Sequence, residues 1–168
     1  MDRLTMTSLV LFTIADVFAV VSLIKPDWIV TNVGGETRIG LMQECLTIHN
    51  RSSTCIPPPT LPYEWGIVLL CIFIGCVGIT TTIVLLAVSN WERSVLTHAR
   101  WIGFIAMLLF CAAAVIFPIG FYIPQIGGEP YQLPNSHQVG VSYILFILAL
   151  WVCVISELFV GKVCLPHL

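Results

Sequence analysis

Charge is what this sequence lacks. Lys, Arg, Asp and Glu together make up 10% of its 168 residues, where a water-soluble domain carries roughly 25%. A surface facing water cannot be built from so few charges, so much of the exterior must face lipid. There is no run of basic residues, and the formal net charge is −2, so the footprint of a nucleic-acid binder is missing. Catalytic patterns are missing too. The four histidines, His49, His98, His137 and His167, are scattered along the chain. No metal-ligand spacing, nucleophile motif or phosphate-binding glycine loop occurs. Nothing therefore calls for an enzyme, a metal or a cofactor. Polarity inside the apolar runs is also too sparse for a transporter built on repeated, broken helices.

Apolar residues are what the sequence has in abundance, at 58%, with a mean hydropathy of +0.97. A bilayer core about 30 Å thick takes roughly 20 apolar residues in a helix. Four stretches qualify: 4–24, 65–88, 101–123 and 141–160. Trp28, Trp65, Trp91 and Trp101 stand at ends of these runs, where amphipathic rings suit the headgroup zone. The first run is too long for the apolar core of a signal peptide, and no A-x-A site follows it, so it reads as a retained span. The expected fold is an all-α membrane protein: a four-transmembrane-helix bundle in one domain, with a small extracellular β-sheet. Its connections on one side of the bilayer are the long segments 26–64 and 124–140.

Of seven cysteines, Cys71, Cys76, Cys111 and Cys153 fall inside apolar runs, where cysteine serves as a small buried hydrophobe. Cys45 and Cys55 lie in the polar 26–64 segment and suit a disulfide in an oxidising compartment. Between them, Asn50-Arg51-Ser52 is a glycosylation sequon, modifiable only on the lumenal side. The short segments around Arg3, around Arg93 and Arg100, and around Lys162 hold four of the seven basic residues, a positive-inside signal of the same sense. Both signals put the termini in the cytosol. Within the first loop, Gly34-Gly35 lies between Ile29-Val30-Thr31 and Thr37-Arg38-Ile39, which predicts a hairpin. A second hairpin is expected around residues 50–53, then a stiff return through Pro57-Pro58-Pro59. The 124–140 loop has room for one more strand.

Few residues break the apolar pattern. Asp16, near the middle of the first span, costs roughly 2.5–3.5 kcal/mol to insert, which the surrounding Leu, Ile, Val and Phe outweigh. Three roles fit it: a hydrogen-bonded lock inside the bundle, a docking contact for another protein's span, or ion transport. Depth counted along the helices brings Cys111 and Trp151 to its level, with the Trp151 indole as expected donor. Glu157 reads as a residue at the cytosolic boundary. Pro118 is expected to kink the third span and free a carbonyl for a neighbouring polar group. Gly75, Gly78, Gly103, Ala106 and Ala112 to Ala114 permit close helix approach. Cys164, a lone juxtamembrane cysteine, is a candidate for S-palmitoylation.

The first loop resembles that of the claudin-like tetraspans, whose signature is a Trp, a Gly-Leu-Trp and two cysteines. Here it reads Trp28, Gly40-Leu41-Met42, Cys45 and Cys55. Met42 replaces the third-position Trp, and the stretch from Trp28 to Gly40 is short, which implies a smaller sheet and weighs against paracellular strands. A longer resemblance covers nearly the whole chain. Lys25-Pro26-Asp27-Trp28-Ile29, Thr47-Ile48-His49, Cys55-Ile56-Pro57-Pro58, Ala99-Arg100-Trp101-Ile102, residues 116–123, Gly127-Gly128-Glu129-Pro130-Tyr131 and residues 161–166 resemble the attenuator-of-Hedgehog family of Smoothened modulators.

That resemblance implies a non-enzymatic adaptor of the plasma membrane and primary cilium that lowers surface and ciliary Smoothened. Its implied partners are a multi-EGF-domain single-pass transmembrane protein and a RING E3 ubiquitin ligase. Trp28, Gly40, Leu41 and Asp16 are the expected contact residues. Two other classes stay open. A claudin-like adhesion or barrier protein would polymerise side by side and favour a C-terminal PDZ ligand, of which Pro166-His167-Leu168 is a weak form. A small channel would centre on Asp16.

Overall fold

Inside a bilayer the backbone has no water to bond, so each spanning segment must satisfy its own N–H and C=O groups, which a helix does. The computed structural model describes residues 3–25, 28–31, 36–41, 44–47, 54–56, 63–89, 91–92, 94–122 and 137–164. Four helices are long and apolar enough to cross a membrane: α1 (Arg3–Ile24), α2 (Tyr63–Val88), α3 (Val95–Ile116) and α4 (Val141–Cys164). Five short strands lie at one end: β1 (Ile29–Thr31), β2 (Glu36–Ile39), β3 (Glu44–Thr47), β4 (Thr54–Ile56) and β5 (His137–Val139). The Gly34-Gly35 turn, Met42, Asn50, the proline return and most of the 124–140 loop lie outside the described residues.

Two helix boundaries differ from expectation at the third span. The helix starts at Val95, six residues before Trp101. Thr97, His98 and Arg100 end the apolar run but not the backbone ladder, and Thr97 and His98 remain exposed. At the other end Pro118 does not kink a continuing helix. Its missing N–H stops the α-helix at Ile116, and a 3-10 segment takes over through Phe117–Tyr122. The ring deprives the Ala114 carbonyl of its usual donor, and Tyr143 Oη of α4 donates to that oxygen at 3.5 Å. The Trp65 indole N–H of α2 donates to the Phe117 carbonyl at 3.1 Å. The freed backbone is thus met by side chains from both neighbouring helices.

The helices form a ring in chain order. α2 with α3, and α1 with α4, are the extensive pairs, whereas α1 with α2 and α3 with α4 touch more lightly. In α1 and α3 the buried residues follow alternating steps of three and four. α1 buries Thr5, Ser8, Phe12, Ala15, Ala19 and Ser22, and α3 buries Leu96, Ala99, Gly103, Ala106, Phe110 and Ala113. That spacing is the seam of left-handed, coiled-coil-like packing. The small residues expected to permit close approach do so between α2 and α3. A Cβ added at Gly75 would lie 2.5 Å from the Phe110 ring, and one at Gly78 would lie 3.2 Å from Ala106 Cβ.

The sheet has the order β4-β3-β2-β1-β5, every pair antiparallel. The two expected hairpins are β1–β2 and β3–β4. The added strand from the second loop is β5, which pairs Ile29 with Val139. Ile29 and Ile39 sit opposite each other and are buried, so one face rests on the bundle.

Candidate interaction sites

Beneath the sheet the helix ends are closed by aromatic rings. Trp28 follows α1 directly, and its indole N–H donates to the Ser22 carbonyl at 2.8 Å, folding the ring back over the helix. The ring meets Phe117 at 4.9 Å, Phe146 at 5.6 Å and Tyr143 at 5.7 Å between centroids. Trp65 also stacks on Phe117, at 5.0 Å. The Gly140 N–H donates to the Trp28 carbonyl at 3.0 Å, and the Ser142 hydroxyl to the Lys25 carbonyl at 3.2 Å. These bonds tie the start of α4 to the end of α1.

This placement corrects the expected contact role of the first-loop signature. Trp28 has 0% relative exposure, Leu41 1%, and Gly40 is buried. None of the three offers surface to a partner; they fasten the sheet to the bundle. Apolar side chains beside so large an aromatic cluster are covered because that removes them from water. Cys45 is also buried and is disulfide-bonded, and strand register sets it directly opposite Cys55. Surface is available instead across β2, β1 and β5, where Arg38, Val30 and Gln138 lie in one row. Together with Val139, Gly140, Val141 and Ile144 they line a shallow cleft of about 320 Å³.

Asp16 lies on the lightly packed seam between α1 and α2. It lines a cleft of about 370 Å³ with Val20 and Leu23 of α1 and Phe73, Cys76, Val77, Thr80 and Thr81 of α2. The expected Trp151 donor is not there. Trp151 is 63% exposed on the outside of α4, so its indole points away from the bundle. Thr80 is the partner: its hydroxyl lies 3.1 Å from Asp16 Oδ2 and 2.9 Å from the Cys76 carbonyl. The hydroxyl has one proton and cannot donate to both oxygens at once. Asp16 Oδ1 is buried and has no hydrogen-bond partner among the described residues.

Glu157 differs from expectation as well. It is half-buried and turned inward rather than out to the boundary, with Oε1 also unpartnered among the described residues. A Cβ at Gly103 would lie 2.9 Å from that oxygen, 3.2 Å from Phe12 and 3.4 Å from Thr82, so α1, α2 and α4 all converge on one glycine of α3. The charge whose field reaches Glu157 is Arg100, on the first turns of α3.

Two residues that matter here escaped the reading of the sequence. Thr80 belongs to the triplet Thr80-Thr81-Thr82, a polar interruption of an otherwise apolar span, and that triplet was the available signal. Gly103 stood out only as a small residue, with nothing to associate it with Glu157. Cys164 closes α4, and Asn50 lies outside the described residues. Among the described residues no cluster of three or more His, Cys, Asp or Glu side chains could hold a metal ion.

The arrangement is thus a multi-pass membrane protein with a strapped sheet at one end and an open carboxyl-bearing cleft on one seam. The sequence profile describing Attenuator of Hedgehog matches residues 25–166, which runs from the end of α1 through all later elements. The chain therefore belongs to the Attenuator of Hedgehog family, regulators that dampen Hedgehog signalling.

Proposed function

We propose that this protein is a non-enzymatic adaptor that attenuates Hedgehog signalling by lowering Smoothened at the cell surface and in the primary cilium. It sits in the plasma membrane in a claudin-like arrangement, with the sheet outside and both termini in the cytosol. A multi-EGF-domain single-pass protein engages it, and a RING E3 ubiquitin ligase acts on the receptor held nearby. The observation that carries this reading is the family match over residues 25–166. Cys45 in a disulfide supports the outside placement of the sheet, because such bonds persist in oxidising compartments. The row Val30, Arg38 and Gln138 takes the place of Trp28, Gly40 and Leu41 as the sheet's contact surface.

The test is deletion of the gene in Hedgehog-responsive cells, with surface Smoothened measured by impermeant biotinylation. Surface Smoothened should rise, and the cells should respond to less ligand. Unchanged Smoothened together with altered paracellular permeability would move the protein to the barrier class.

A further inference from the structure

The end of the bundle that carries the sheet is also where the hydrocarbon stops. The apolar stretch of α4 from Val141 to Gly161 is 21 residues long, about 30 Å of helix and so about one hydrocarbon thickness. Val141 therefore stands at one boundary of the bilayer core, and β5 leads into it from the headgroup side. The cleft of about 320 Å³ lies across that boundary, because Val30, Arg38 and Gln138 of the sheet line it together with Val141 and Ile144 of α4.

The two halves of the lining differ in chemistry. On the α4 side Val141 is 55% exposed and Ile144 53%, and Leu148, one turn deeper on the same face, is exposed as well. They form an apolar strip that runs from the cleft into the depth of the lipid. On the sheet side the charged residue is Arg38, and among the described residues no acidic side chain lines the cleft. A guanidinium has five N–H donors in a planar fork that matches phosphate oxygens, so it can take a phosphate whatever other acceptor it holds. The amide of Gln138 adds a further donor. Arg38 is partly exposed and Gln138 fully so, and a ligand reaches both without moving a buried group. A cation at headgroup level above an apolar strip at acyl level matches the two ends of a phospholipid. Neither half alone would select it: a soluble anion has no use for the strip, and an acyl chain has none for the cation.

We infer that this cleft binds one phospholipid of the adjoining leaflet, with its phosphate on Arg38 and Gln138 and an acyl chain along Val141, Ile144 and Leu148. The inference goes beyond the adaptor reading. It depends on neither Smoothened nor the orientation of the chain, since both leaflets contain phospholipid. It gives the sheet's contact row a lipid headgroup at its β5 side, beside any protein that engages it.

Native mass spectrometry of the full chain, released from non-ionic detergent micelles, tests this with dioleoylphosphatidylcholine as the probe. The first lipid should bind more tightly than dioleoylglycerol, which has the same acyl chains and no phosphate. Arg38→Gln should weaken that first lipid about fivefold, the scale of one cation near membrane phosphates. Arg38→Lys, which keeps the cation, should restore most of the loss. Gln138→Glu is an exposed, nearly isosteric change that sets a negative charge beside the phosphate. It should weaken the first lipid too, and it keeps the test decisive if Arg38→Gln fails to fold. Lys25→Gln removes an exposed cation from the same end of the bundle but outside the cleft, and should leave the first lipid unchanged. Equal binding of the two lipids, or equal weakening by Arg38→Gln and Lys25→Gln, would overturn the inference. Displacement of the lipid by inorganic phosphate would reduce the cleft to a plain anion site, and displacement by a glutamate-rich peptide would assign it to a protein. Either result overturns the lipid assignment.

Discussion

Trp28 shows how a single side chain joins the two parts of this molecule. It is wholly buried, bonded to the Ser22 carbonyl, and surrounded by Phe117, Tyr143 and Phe146. Removing so large a buried ring leaves a cavity that the neighbours fill only partly. Trp28→Ala should therefore cost about 3–5 kcal/mol, lowering the melting temperature in detergent and the amount reaching the cell surface. Trp28→Phe keeps most of the packing and loses one hydrogen bond, worth about 0.5–1.5 kcal/mol. If the two variants unfold alike, the hydrogen bond and not the packing is decisive. The sequence placed Trp28 at the membrane interface by its position beside an apolar run. It did not reveal that the indole turns inward, because that depends on a carbonyl of α1 and on rings from α4 and from the 3-10 segment after α3.

At the scale of elements, the helices are held by shape rather than by hydrophobicity, since lipid is as apolar as a leucine side chain. Gly75 against Phe110 and Gly103 beneath Phe12, Thr82 and Glu157 are where backbones come close. Gly75→Leu should destabilise the α2–α3 pair by at least about 1–3 kcal/mol through overpacking. At Gly66 a Cβ would meet nothing within 4 Å, so Gly66→Ala should change stability by less than about 0.5 kcal/mol. Thermal unfolding of both variants in one detergent compares them, and equal effects would refute the assignment of Gly75 to a tight interface. The small residues were visible in the sequence and correctly marked contact faces. The partner of Asp16 was not, because depth along a helix fixes a level but not a direction. Trp151 was expected at the level of Asp16, yet α4 turns it to lipid while α2 brings Thr80 across.

For the whole molecule, the sheet shares one buried core with the helices and carries a covalent cross-link in addition. Paired with Cys55, which stands opposite it in register, the Cys45 disulfide would close a loop of about ten residues and contribute roughly 2–3 kcal/mol. Reduction should loosen the sheet while the helical circular dichroism stays within error, since the helices do not depend on that bond. An impermeant maleimide should label Cys45 on intact cells only after reduction; a need for permeabilisation would invert the proposed orientation. At the opposite end, acyl exchange on the wild type and Cys164→Ser tests the proposed palmitoylation. The modification is discarded if the two give equal signals.

The sequence by itself determined the number of spans, their approximate limits, the hairpins of the first loop and the family. These follow from properties that add along the chain: apolar length against bilayer thickness, turn residues between β-tolerant stretches, and contiguous motifs. Tertiary structure alone decided which face of each helix looks inward, what Pro118 does to α3, and which groups meet Asp16 and Glu157. The reason is physical. In water, polarity separates a helix's inside from its outside, whereas in lipid both faces are apolar and the interior is selected by small residues and fit. That selection requires the neighbouring helices to be in place, and no single segment carries it.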